Sequence, residues 1–308
     1  MTADALAARI RHALGLDRPM TPARLLRDAL VLLGIIAAVT YWVYLTNGGA
    51  LPVDVHYYWA ADPKNLYPHP EAGEGNGYNY SPAFEFVAGW WRSIPFEVYA
   101  AIWRAVLLAT LVYLAGPFTL FALLTVPVAS EINAANIQIP LALAVVLGFR
   151  WPATWAFVIL TKLTPGIGIL WFLLRREWRH LTIALGATAA IAAVSFLLMP
   201  DAWFGYLRLL TGAPAPAVAP YYLSFWTRLP FAIAFIAWGA WKGKRWPVVV
   251  GATIALPVYY ITSSAMFVGV LPYLREALGR LVERRFGPQP ADASTSASDP
   301  AMSLDSNR

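Results

Sequence analysis

The first side chain that joins an ionisable group to an apolar setting is Asp54. It follows the opening apolar run in LPVDVHYYWAADPKNLY, where the outer edge of a membrane is expected. A carboxylate there is partly desolvated, which raises its basicity and suits it to take a proton from a hydroxyl. The rings of His56, Tyr57, Tyr58 and Trp59 around it suit a sugar ring or a lipid headgroup. The plainer reading of the same spacing is a solvated aspartate capping a short helix, with the aromatics as interface anchors.

Lys162 is the second such residue. It lies in VILTKLTPGIGIL with no other charge near it in sequence. Its partner must come from elsewhere in the fold or from a ligand, for which an anionic lipid phosphate would serve; snorkelling to the interface explains it equally well. Glu131, in SEINAANIQIP, is a functional candidate because an acid at membrane depth is costly. With Asn133, Asn136 and Gln138 it can form a polar cluster, or it can be a headgroup-level carboxylate. Arg208 and Arg228 bracket a second polar segment, and each can clamp a phosphate or simply contact headgroups. Tyr78, Asn79 and Tyr80 in GYNYSPAFEF offer hydrogen bonds beside Ser81-Pro82, a pattern that by itself marks a turn and a helix start.

Other chemistries are poorly supplied. His56 and His69 are too sparse for a metal site, and HExxH, DxD, phosphate-loop and dinucleotide patterns do not occur. No metal and no cofactor are expected. There is no cysteine, which removes disulfides and thiolate chemistry.

The elements that must position these residues are membrane helices. Of 308 residues, 59% are hydrophobic and only 13% charged, against roughly 25% charged in soluble domains. The apolar runs are continuous rather than alternating, so helices and not a barrel are indicated. The net charge of +6 sits in short clusters between apolar runs and forms no basic stripe, so nucleic acid is not an expected partner. The expected fold is all-α, a polytopic transmembrane bundle of about ten spans.

Residues 1–28 carry five arginines and read as a cytoplasmic segment ahead of a retained anchor at about 29–46. The expected membrane domain is 29–286, with external segments at 48–96 and 201–226. Spans are expected near 99–116, 117–130, 135–149 and 181–199, with two or three more in 229–273. The run 151–174 is flanked by arginine at both ends, so it is expected as a short hairpin turning near Lys162 and Pro165. The stretch 82–92 reads as an interfacial amphipathic helix with Trp90 and Trp91 at headgroup depth. The tail 287–308 has no aromatic residue and is expected to be disordered and cytoplasmic, like the amino terminus.

The order of motifs resembles a known family. DVHYYWAA after the first span, LYP, YNYSPAF, ANIQ at a span start and TKLTPGIGILWFLLRREWR resemble glycosyltransferase family 87, in the GT-C superfamily of polytopic enzymes. The resemblance covers roughly residues 29–200. It implies a polyprenyl-phosphate donor carrying mannose or another hexose, a lipid or glycan acceptor, and extracytoplasmic transfer with inversion; the lack of organelle signals favours a bacterial inner membrane. It implies Asp54 as the base on the acceptor hydroxyl, Lys162 at the donor phosphate, and Tyr78 through Pro82 shaping the sugar pocket. Where the family pattern often has glycine before the asparagine of ANIQ, this chain has Ala135. Two other readings stand beside the enzyme. In a transporter or lipid flippase, Asp54, Glu131 and Lys162 would be gating charges, but these would share a depth mid-span, whereas here the polar groups gather at one face. An inactive scaffold subunit is the third reading, since the chain is shorter at its carboxyl end than most relatives.

Overall fold

A computed structural model of the chain describes residues 21–49, 52–68, 77–211 and 223–286. The expected disordered tail, the proline-rich GAPAPAVAPYY stretch and all but the end of the 1–28 segment lie outside the described residues.

The secondary structure among the described residues is helical. Helix α1, Pro22–Tyr44, begins where the Thr21 side chain accepts the Arg24 N–H and Pro22 takes a first-turn position that needs no donor. Only Gly34 and Ala38 are buried along it, so its remaining apolar surface faces outward, as a helix bathed in lipid requires. A short helix α2, Val53–Ala60, carries Asp54 in its first turn. Residues Pro82–Trp91 then form a run of short 3-10 and α turns, with Trp90 and Trp91 exposed as expected of interfacial anchors.

Helix α3, Phe96–Ala115, ends at Gly116, whose positive φ of 55° a side-chain-bearing residue would resist. Helices α4, Val126–Ala134, and α5, Gln138–Gly148, meet at a bend of 108°. Next come α6, Trp155–Thr161, and the 3-10 and α stretch α7, Thr164–Leu174. Helix α8 is Trp178–Leu198; only Ala184 and Ser195 are buried in it, so it too presents an apolar surface outward. Helices α9, Pro200–Thr211, α10, Phe225–Lys242, and α11, Trp246–Ile254, with the 3-10 stretch Ile261–Val270, complete the unit that carries the candidate site. A second unit begins at Leu274 within the last helix, Leu271–Phe286, where Glu276 and Arg280 pair one turn apart.

Among the described residues three helical stretches are long and apolar enough to cross a membrane: Pro22–Gly48, Phe96–Leu123 and Trp178–Leu198. The bent α4–α5 pair would be a fourth. Apolar runs alone suggested about ten spans. The region 99–149, expected as three, holds the stretch Phe96–Leu123, which runs on through the Gly116-Pro117 turn, and the α4–α5 pair, whose short halves meet at the bend at Ala135. Proline cannot donate to a preceding turn and glycine readily leaves the helical region, so continuous hydrophobicity does not here produce continuous helices.

The expected hairpin is present. Gly166 lies against Ile159, and Gly168 against the ring of Trp155, so closely that a Cβ on either would overlap its neighbour. Residues 159 with 166 and 155 with 168 pair in reverse order, so α6 and α7 run antiparallel. Pro165 prevents α6 from continuing, and the two glycines let the halves touch. Lys162 sits at the tip in an extended conformation, with φ −139° and ψ 113°.

Candidate active site

The hairpin tip faces α2 across a cavity of about 770 Å³. Asp54, Tyr57 and Tyr58 line it from α2, Asn79 and Tyr80 from the connection, Asn136 from the α4–α5 bend, and Thr161 to Thr164 from the tip. Leu209, Leu210, Phe225, Trp226 and Ile261 give the cavity an apolar side. Its chemistry is therefore two-sided: a polar wall with one carboxylate and one ammonium, and a greasy wall beside it.

Burial raises the Asp54 carboxyl above the ordinary aspartate range, and the Lys162 ammonium opposes part of that rise. This is the expected signature of an acid and a cation sharing one poorly solvated space. The Lys162 ammonium also sits 5.9 Å from the centre of the Tyr80 ring, a cation–π distance.

The wall behind these charges is an ordered polar network. Tyr58 and Tyr80 hydroxyls are 2.9 Å apart and both donate toward Asn136 Oδ1, at 3.2 and 3.3 Å. The same oxygen accepts the Ile137 N–H at 2.8 Å, and the Asn136 carbonyl accepts the Trp103 indole N–H at 3.1 Å. Burial pushes the Tyr58 hydroxyl well above the usual phenol range, helped by Tyr80, so it remains a neutral donor. The rings of Tyr58, Tyr80, Phe84 and Trp103 meet edge to face around it, apart from a stacked Tyr80–Phe84 pair.

Residues outside the cavity fix its parts. Arg92 donates through Nε to the Tyr58 carbonyl at 2.8 Å and is ion-paired with Glu85, both largely buried. This ties α2 to the 82–91 stretch. The Ser81 hydroxyl donates to the Leu160 carbonyl, fastening the YNYSP segment to the hairpin. Arg92 was legible only as one of two bases in an acidic segment; its spacing of seven from Glu85, two helical turns, was the available signal. Thr161 and Thr164 were visible only as members of the TKLTP motif, and Tyr206 and Trp226 were not singled out, because neutral residues separated by tens of positions leave no local pattern.

The remaining expected site residues are placed differently. His56 is exposed, its ring packed on Phe96 5.2 Å away, and it does not line the cavity. Tyr78 is buried behind the wall, against Tyr67 and Tyr80. Glu131 is fully buried and accepts the Gln138 N–H, so it caps the start of α5 from within the bend. Arg208 is exposed and, among the described residues, its side chain bonds its own helix at Phe204, 3.4 Å away. Arg228 is a correction to the phosphate-clamp expectation. Its guanidinium donates to the carbonyls of Leu223, Ile254, Leu256 and Pro257, closing the end of α11, and does not line the cavity. Four of an arginine's five N–H donors are thereby used on backbone.

The profile of glycosyltransferase family 87 matches residues 80–286, more than half of the chain. The chain belongs to glycosyltransferase family 87. The family 87 match takes in the YNYSP connection from Tyr80, the α4–α5 bend and the hairpin, while Asp54 and α2 precede it. A polyprenol-phosphate-mannose-dependent alpha-(1-2)-phosphatidylinositol pentamannoside mannosyltransferase of Mycolicibacterium smegmatis is 28% identical over 235 residues, 66% of this chain. The chain spans 57% of that relative's length. No solved structure matches it.

Proposed function

We propose that this family 87 protein is an integral membrane hexosyltransferase that moves mannose from a polyprenyl-phosphate donor to an extracytoplasmic lipid or glycan acceptor, with inversion. The observation that carries this reading is the single cavity shared by Asp54 and Lys162, with a polar wall and an apolar wall. A polyprenyl tail partitions into lipid and suits the side lined by Leu209, Leu210 and Phe225. The sugar suits the side lined by Asn79, Tyr80 and Asn136, where hydroxyl and amide groups are already ordered.

In this reading the acceptor hydroxyl gives its proton to Asp54 as its oxygen bonds to the anomeric carbon. The bond from that carbon to the phosphate oxygen breaks, and the electron pair leaves with polyprenyl phosphate. Lys162 offsets the negative charge that grows on this leaving group. A base with raised proton affinity suits abstraction from an alcohol, provided it is ionised at the working pH. The phosphatidylinositol mannoside named for the mycobacterial relative supports a glycolipid as the acceptor class. A bacterial inner membrane is the proposed location, with both termini cytoplasmic.

The test is to incubate membranes containing the protein with labelled polyprenyl-phosphate-mannose and to analyse the lipid and glycan fractions. Transfer of label to an acceptor, absent from membranes lacking the protein, is expected. Label that stays wholly on the donor across a range of lipid and glycan acceptors would overturn the reading.

A further inference from the structure

The second ends of the helices that reach the cavity carry a different chemistry. Helix α10 begins at Phe225 in the cavity wall and ends at Lys242; its 18 residues place these two ends about 27 Å apart. Helix α11 starts at Trp246 and runs back toward Pro257, which lines the cavity. The hairpin has Lys162 at its tip and Arg150 and Arg175 at its base.

Three connections distant in sequence meet at this far end. The Phe149 ring packs 5.3 Å from Trp171 and lies under the Arg245 guanidinium at 5.4 Å. Arg175 Nη1 donates to the Ala240 carbonyl at 3.0 Å. Arg150, Arg175, Arg176, Lys242, Lys244 and Arg245 are thereby gathered, all exposed. The acid within these connections is Glu177, and it is held by Arg175 at 2.9 Å. Among the described residues none of the other five cations is in an ion pair. Between them Trp151, Trp178 and Trp241 are 51, 55 and 76% exposed. Tryptophans at headgroup depth beside unneutralised cations match the interface of an anionic leaflet: the indoles sit among the glycerol and carbonyl groups while the cations meet phosphate.

We infer that this end of the helices is a binding surface for anionic phospholipid headgroups, on the membrane side opposite the cavity. Neutral residues could have closed these turns equally well. Bringing six cations together with one acid costs mutual repulsion, which bound phosphates relieve. Arg176 reinforces the point: it is held at a left-handed φ of 57°, a turn position where glycine or asparagine is easier.

The test uses the full chain, reconstituted in bilayers of phosphatidylcholine with phosphatidylglycerol as the minor component and then released for native mass spectrometry. The protein should retain phosphatidylglycerol over phosphatidylcholine by about tenfold or more relative to the bulk ratio. Combining Arg150→Gln, Lys242→Gln and Lys244→Gln should abolish the preference. Lys244→Gln alone, at an exposed turn where folding is undisturbed, should lower it about fivefold. Lys64→Gln, an exposed cation on the segment following α2, should leave it intact. Equal retention of the two lipids by the unaltered protein would overturn the inference, as would an undiminished preference in the triple variant.

Discussion

The chain interrupts its apolar helices twice near the cavity, and the two interruptions are built oppositely. At the α4–α5 bend most polar groups bond to one another, although Glu131 Oε2 and Gln138 Oε1 are buried without a hydrogen-bond partner. Ala135 turns left-handed at φ 54°, the Asn136 N–H returns to the Glu131 carbonyl at 3.2 Å, Glu131 caps α5, and Asn136 holds both tyrosines. At the hairpin tip, Thr161 through Thr164 all open onto the cavity, and the Thr164 hydroxyl is buried without a hydrogen-bond partner. One break is closed on itself and makes a wall. The other presents a cation and neighbouring polar groups to whatever enters. A broken helix in a membrane protein thus has two separable uses, and a cation presented to the cavity at one break distinguishes them.

That contrast can be broken by substitution. Lys162→Ala should leave the melting temperature close to that of the unaltered protein but lower kcat/KM for the lipid donor by roughly 10²-fold or more. It should also move the acid limb of the pH–rate profile upward, because Lys162 holds the Asp54 carboxyl down. An equal loss of folded protein and of activity would erase the distinction between the two breaks. Gly168→Val should act on folding instead, since even a Cβ would overlap the Trp155 ring; a loss of about 3 kcal/mol is expected, read by denaturation in detergent. Asn136→Leu should destabilise by about 1–3 kcal/mol by removing the acceptor shared by Tyr58, Tyr80 and the Ile137 N–H. Unchanged stability would show the bend network to be dispensable. Ala135→Gly should have the smallest effect, holding stability or raising it by up to about 1 kcal/mol, because glycine relieves the left-handed strain but loses a buried methyl.

Much of this arrangement was legible in the sequence because it is local. Pro165 and the flanking arginines announced the hairpin, and Asp54 stood out against an aromatic, otherwise uncharged run. The count of spans was not legible, since it depends on which breaks inside uniformly apolar sequence end a crossing: Phe96–Leu123 passes the Gly116-Pro117 turn, whereas the chain bends by 108° between α4 and α5. The role of Arg228 was also out of reach. Three of its four acceptors lie 26 to 29 residues further on at the end of another helix, and a guanidinium has the same sequence appearance whether it meets a phosphate or a helix end. Ala135 gives an intermediate case. A small residue before Asn136 is visible, but only the 108° bend explains why a position suited to glycine is needed.

Asp54, in its proposed role as base, is held at a cost in stability. Burial raises its proton affinity in the folded protein above that in the unfolded chain. Its favourable contribution is therefore present below the ordinary aspartate pKa and is lost as pH rises through the raised value. The most direct measurement is Asp54→Asn, assayed at neutral pH for both mannose transfer and melting temperature. Transfer should fall by about 10²–10⁴-fold while the melting temperature holds or rises. Near-normal turnover in a folded Asp54→Asn protein would contradict the account.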